Sequence, residues 1–177
     1  AAAARLATLS GLDQVAAATA LRRHLGVCLD LCHAAVEFED PVACVQALEQ
    51  AGVTIAKVQV TAGLRIPVVT ADVLDELRRY EDAVYLHQVV ERTPVGLQRY
   101  ADVVDARTAG RWRDDACEWR VHFHVPVFLE TLEPFASTQS FVRDVLTQQR
   151  QQVFATQLEV ETYTWSVLPP QHRTARV

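Results

Sequence analysis

Histidines and carboxylates cluster in this sequence where short apolar runs end. Asp30 and His33 form a D-x-x-H at the end of one run, and His122 and His124 form an H-x-H within a second. Glu161 lies in a third run near the end of the chain. Imidazoles together with carboxylates suit Zn²⁺ or Mn²⁺, whereas carboxylates alone suit Mg²⁺. These five residues therefore predict a divalent-metal site, with the choice among Zn, Mn and Mg left open.

The alternation of side chains along a strand supports this prediction. Residues two apart in a strand point to the same face, so His122 lies beside His124 and Glu159 beside Glu161. Burying a carboxylate costs on the order of several kcal/mol unless it is paired or bound to a metal. Three alternatives stay open: Asp30 caps the next turn, one histidine bonds a backbone carbonyl, or the glutamates lie on an exposed edge strand.

Further polar residues share the faces on which the proposed ligands lie. Lys57, the only lysine, is a candidate general acid/base or a structural partner of Asp30 or a glutamate. Glu159 is the second candidate catalytic group. The candidate substrate-binding residues are Gln59, His87, Tyr163 and Trp165, because amide, imidazole and aromatic side chains suit a hydroxylated ligand.

Helical segments alternate with short β-type runs, which is typical of βα units around a parallel sheet. We expect one domain over residues 1–177, with a core at about 10–168 and a polar tail at 169–177. The predicted strands are 27–31, 54–61, 84–90, 119–128 and 157–165. The predicted helices are about 12–24, 41–52, a short helix after Thr70, 95–107 and about 137–153.

Composition narrows the possible partners. The net charge of −5 argues against a broad nucleic-acid surface, and no apolar run approaches the length of a membrane span. We therefore expect a cytoplasmic protein that neither binds nucleic acid nor inserts into a membrane. The four cysteines show no CxxC pair and are expected to be reduced thiols. The absence of methionine suggests a processed chain or a fragment.

Several longer strings resemble the xylose-isomerase-like TIM barrels, and most closely their branch of metabolite-traffic proteins from the bacterial Ebo gene cluster. The resemblance runs in order from about Leu25 to Pro169. The strings are CLDLCHAAVEFEDP (28–41), KVQVTAGL (57–64), YLHQV (85–89), RVHFHVPVF (120–128) and LEVETYTWSVLP (158–169).

This resemblance implies the C-terminal portion of a (β/α)₈ barrel, because a complete barrel needs about 250 residues. It implies that Asp30, His33 and Glu161 bind metal, and that His122 and His124 stand where endonuclease relatives have a D-x-H pair. Gln59 stands where many relatives have histidine. The missing barrel half, or a second copy of the chain, would then close the barrel.

The function implied by the resemblance is a metal-dependent isomerase or epimerase of a sugar or sugar phosphate. Such an enzyme uses the metal as a Lewis acid on a small hydroxylated metabolite. The first alternative is a non-catalytic protein that binds or traffics a metabolite. The second, more distant alternative is a phosphodiesterase of the endonuclease IV type, which the acidic charge disfavours.

Overall fold

A computed structural model describes residues 1–78, 87–113 and 116–161 of the chain. The helices in these ranges are α1 (Ala2–Ser10), α2 (Gln14–His24), α3 (Leu31–Val36), α4 (Pro41–Gln50), α5 (Ala71–Leu77), α6 (Val103–Ala109) and α7 (Gln139–Gln151). The strands are β1 (Gly26–Asp30), β2 (Thr54–Val60), β3 (Ala62–Ile66), β4 (Val89–Thr93), β5 (Gly96–Tyr100), β6 (Glu118–Val125), β7 (Thr131–Leu132), β8 (Phe135–Ser137) and β9 (Leu158–Val160).

The strands form two sheets of different type. The smaller sheet is parallel, with the strand order β1-β2-β9. The larger sheet has six strands in the order β5-β4-β6-β3-β8-β7, and all its pairings are antiparallel. The prediction of a partial (β/α)₈ barrel is therefore wrong, because a barrel of that kind has parallel strands alone.

The error arises from two tight connections. Thr61 alone separates β2 from β3, so the chain passes directly from the small sheet into the large one. Strand β5 forms a hairpin with β4 and occupies the first part of the region predicted as a helix over 95–107, while α6 occupies the last part. Antiparallel strands can be joined by two residues, whereas a parallel crossover needs a dozen or more. Gly96, with φ of 136°, supplies the positive backbone angle in that hairpin.

Helix starts follow the local chemistry of the sequence. Asp30 accepts hydrogen bonds from the first backbone N–H groups of α3, and Asp40 does the same for α4, where Pro41 takes the first position. Thr70 caps α5 through its hydroxyl. These short polar side chains satisfy N–H groups that have no partner within the helix, and so they determine where each helix begins.

One hydrophobic core joins the two sheets. It includes Val58 of the small sheet, Leu64 and Val121 of the large sheet, and Leu31 of α3, all of them almost fully buried. The indole of Trp119 is also buried in the large sheet. Within the described ranges, no helix has the length and apolar character needed to cross a bilayer.

Candidate metal centre

Three overlapping groups of ligand-type side chains in the described part of the chain could hold a metal ion. Within each group, the potential ligand atoms all lie within 4.8 Å of one another. The groups are Asp30 with His33 and His122, Asp30 with His124 and Glu161, and Cys32 with His122 and His124. The structure thus brings together all five residues that the sequence suggested as ligands. We call these five residues the ligand cluster.

Asp30 occupies the junction between β1 and α3 and is held through one oxygen. Its Oδ1 accepts hydrogen bonds from the backbone N–H of Cys32 at 2.9 Å and of His33 at 3.4 Å, and from the hydroxyl of Thr61 at 2.9 Å. Its Oδ2 lies 3.8 Å from His33 Nε2. Asp30 therefore does cap a helix, as one alternative held, yet its second oxygen faces the ligand cluster.

The rings of the three histidines of the cluster lie next to one another in the order His33, His122, His124. The rings of His33 and His122 stack with their centroids 4.0 Å apart, and His122 meets His124 edge to face at 5.1 Å. The Nε2 atoms of His122 and His124 are 3.4 Å apart. Because His122 and His124 are two apart on β6, both point to the same face of the large sheet. His33 reaches the same place from α3.

Glu161 enters from the end of β9 in the small sheet. Its Oε2 lies 3.8 Å from His124 Nδ1 and accepts a hydrogen bond from Gln59 Nε2 at 3.2 Å. The Oε1 of Gln59 accepts in turn from Cys28 Sγ at 3.4 Å. Gln59, predicted to bind substrate, thus orients the glutamate instead of standing apart from the cluster.

The donor set could hold a metal ion, because it combines imidazoles with carboxylates. Burial, together with the neighbouring charges of His33 and His124, lowers the pKa of His122 to about 4. Burial also lowers the pKa of His124. Both imidazoles are consequently neutral near pH 7, which is the form that binds a metal. Two of the three groups share Asp30.

The predicted acid/base pair forms an ion pair. The ammonium of Lys57 contacts Glu159 Oε2, and this hydrogen bond raises the pKa of Lys57. Strand β9 is an exposed edge strand, as a further alternative held, and Leu158 and Val160 are about half exposed. Pairing in register nevertheless puts Glu159 beside Gln59, and Gln59 beside Asp30. The ion pair therefore lies on the face of the small sheet that carries Asp30.

Of the other three residues predicted to bind substrate, His87 is the one that lies within the described residues. His87 is buried, its ring lies 5.3 Å from that of Phe123 in the core, and its backbone N–H donates to Asp102. It is outside the three ligand groups. Tyr163 and Trp165 lie outside the described residues.

Two residues at the cluster were not recognised in the sequence. Thr61, fully buried, donates to Asp30 Oδ1 and accepts from the backbone N–H of Cys32 at 3.1 Å. The available signal was its position at the end of β2, on the same parity as Lys57 and Gln59. Cys32 is also fully buried, and burial followed by the charges of Asp30 and Glu161 raises the pKa of its thiol well above the ordinary value. It therefore ranks behind the histidines as a ligand.

Comparison with protein-family models, with curated proteins and with solved structures finds no match to this chain. The function implied by the resemblance to xylose-isomerase-like proteins therefore stays a prediction. Any proposal for function depends on the residues and their geometry.

Proposed function

We propose that this chain binds a divalent metal through the ligand cluster, for isomerase- or epimerase-type chemistry on a sugar or sugar phosphate. The observation that carries the proposal is the convergence of carboxylates and imidazoles from three separate segments. Asp30 and His33 come from β1 and α3, His122 and His124 from β6, and Glu161 from the end of β9. Buried carboxylates and imidazoles cost free energy unless partners satisfy their charges and lone pairs, and one bound metal ion would satisfy several of these groups at once.

A bound divalent ion would polarise a carbonyl or hydroxyl oxygen of the substrate as a Lewis acid. The chain's own residues then handle the proton. Lys57 remains protonated beside Glu159 and stabilises negative charge as it develops on the substrate. The Glu159 carboxylate takes a proton from the carbon beside the carbonyl and returns it to the substrate, so no net proton is gained or lost. Gln59 keeps Glu161 turned toward His124.

A non-catalytic metabolite-binding protein is the second candidate, and one observation favours it. The two residues proposed to move protons are bound to each other at an exposed strand edge, outside the three ligand groups. An ion pair at that position would hold the edge strand β9 in place without acting on a substrate. The ligand cluster would then hold a metal and a hydroxylated ligand without turnover.

Metal binding is tested by titrating the chelator-stripped protein with Zn²⁺ or Mn²⁺ in a calorimeter. Asp30→Asn keeps the cap of α3 but removes a ligand charge, so we expect at least a tenfold loss of affinity. Asp40→Asn is the matched control because Asp40 caps α4 in the same manner outside the cluster. Equal affinity in the Asp30→Asn and Asp40→Asn proteins would exclude the proposed site.

Turnover is tested separately with the metal-loaded protein in D₂O. Isomerisation beside a carbonyl exchanges the proton on the neighbouring carbon, so NMR should detect deuterium in aldose or ketose substrates and their phosphates. Glu159→Gln should abolish the exchange while leaving metal affinity unchanged. A sugar that stabilises the protein thermally without any exchange would instead establish the binding protein.

A further inference from the structure

Three arginines crowd one carboxylate on the same face of the large sheet as His122 and His124. Arg120 is two residues before His122 on β6, and Arg65 of β3 is its partner in register. Arg92 of β4 pairs with Glu118 of β6 in the neighbouring row. We call Arg65, Arg92 and Arg120 the arginine cluster.

Charge within this cluster does not balance. Glu118 accepts hydrogen bonds from Arg65 at 2.8 Å, from Arg92 at 2.7 Å and from Arg120 at 3.1 Å. Three guanidinium groups against one carboxylate leave two positive charges in excess. The neighbouring pair of Arg99 with Glu37, at 2.6 Å, adds no net charge. This excess is local, because the chain as a whole carries a charge of −5.

Phe38 holds two of the guanidinium groups in place. Its backbone adopts a left-handed conformation with φ of 59°, which is uncommon for an aromatic residue. The guanidinium of Arg120 lies 4.0 Å from the ring centroid and that of Arg92 lies 4.4 Å from it. Arg120 also donates to the carbonyl of Ala35 at 2.6 Å. Side chains held in this way lose little conformational entropy when they bind a ligand.

The cluster retains donors on its accessible side. The side chain of Arg92 is 49% exposed and that of Arg65 is 37% exposed, whereas Glu118 is only 10% exposed. Among the described residues, Arg92 donates to Glu118 through Nη2, and Arg65 through Nε and Nη2. The Nε and Nη1 groups of Arg92 and the Nη1 group of Arg65 are therefore not used by Glu118.

We propose that the arginine cluster binds a phosphate group, either inorganic phosphate or the phosphate of a small monoester. A phosphate dianion matches the two excess charges, and its oxygens accept the paired N–H groups that arginine presents. Arg120 and His122 are two residues apart on β6, so their Cα atoms lie about 7 Å apart. A phosphorylated metabolite of ordinary size spans that distance.

The test is calorimetric titration of the full chain with sodium phosphate near pH 8, at constant ionic strength and with EDTA present. The chelator keeps any metal from contributing, so the outcome does not depend on the proposed metal function. We expect Arg92→Gln and Arg65→Gln each to weaken phosphate binding about tenfold or more. Arg143→Gln is the matched control, since Arg143 is exposed and pairs with Glu130 outside the cluster.

The variant Glu118→Gln tests whether the arginines can bind an external phosphate in addition to the Glu118 carboxylate that they already contact. Glu118→Gln removes the internal carboxylate, so phosphate should bind more tightly than in the parent protein. Glycerol 3-phosphate and glycerol, titrated in parallel, distinguish a monoester from free phosphate, and binding of either phosphate compound supports the proposal. It is overturned if folded parent protein shows no binding at about 10 mM phosphate, or if Arg143→Gln weakens binding as much as Arg92→Gln.

Discussion

At the scale of single residues, Thr61 helps to fix the orientation of the Asp30 carboxylate. The Thr61 hydroxyl and the backbone N–H groups of Cys32 and His33 all bond to Oδ1 of Asp30. The carboxylate plane is thereby fixed, and Oδ2 is directed toward His33. Partners of this kind orient a ligand without touching the metal, and their loss is felt mainly as loss of metal affinity.

Thr61→Val tests that role. The isosteric valine removes one hydrogen bond to Asp30 and one from Cys32, so we expect the free energy of unfolding to fall by about 1–2 kcal/mol. We also expect Zn²⁺ affinity to fall about tenfold. Urea unfolding and metal titration measure the two effects. Thr147→Val is the control, since Thr147 is exposed and bonds within α7. Unchanged affinity with reduced stability would show that Thr61 is only structural.

At the scale of elements, the close approach of α3 to β3 brings His33 to the histidines of β6. Gly63 permits that approach, because a β-carbon there would lie 3.1 Å from Cys32 Sγ, 3.2 Å from Val36 Cγ2 and 3.3 Å from the carbonyl oxygen of Val121. All three neighbours are buried. Helix α3 therefore packs against a strand that has no side chain at the contact.

Gly63→Ala should push α3 away from the sheet. We expect the free energy of unfolding to fall by about 1–3 kcal/mol, as for other overpacked cores. Metal affinity should fall too, because Asp30 and His33 move with the helix while His122 stays on β6. Urea unfolding and Zn²⁺ titration check both. Adding Cys32→Ala to Gly63→Ala removes the closest contact and should restore part of the stability; no recovery would indicate another cause.

At the scale of the whole molecule, the ligand cluster connects the two sheets. Asp30 and Glu161 belong to the small parallel sheet, whereas His122 and His124 belong to the large antiparallel one. The hydrophobic core already spans both sheets. A metal bound to Asp30, His124 and Glu161 would add a second connection between the sheets, because these three residues form one ligand group.

Metal should therefore stabilise the folded chain as a unit. Zn²⁺ at about one hundred times its dissociation constant is expected to raise the free energy of unfolding by about 2.7 kcal/mol. Hydrogen exchange of β6 in increasing urea reports the large sheet, and hydrogen exchange of β2 reports the small one. Both transitions should shift together and return with EDTA. An equal shift in Asp30→Asn protein would place the zinc elsewhere.

Features that depend on neighbouring residues could be predicted from the amino-acid sequence. A strand repeats every two residues, so the shared face of His122 and His124 could be predicted. Asp40 before Pro41 predicted where α4 begins, because a helix start needs partners for its own N–H groups. Residue type, alternation along strands and the family resemblance together suggested the five members of the ligand cluster, which the structure brings together.

Features that depend on residues far apart in the chain could be recognised in the folded structure but not in the sequence. Strand direction was one, because alternating apolar residues look alike in parallel and antiparallel pairs, and the barrel prediction was wrong for that reason. The partner of Lys57 was another, since Glu159 is brought to it by the pairing of β2 with β9. The excess positive charge around Glu118 was a third, because three separate strands supply its arginines. All three features depend on which strands become neighbours in the folded chain, and the pattern of residues along a single strand does not specify its neighbours.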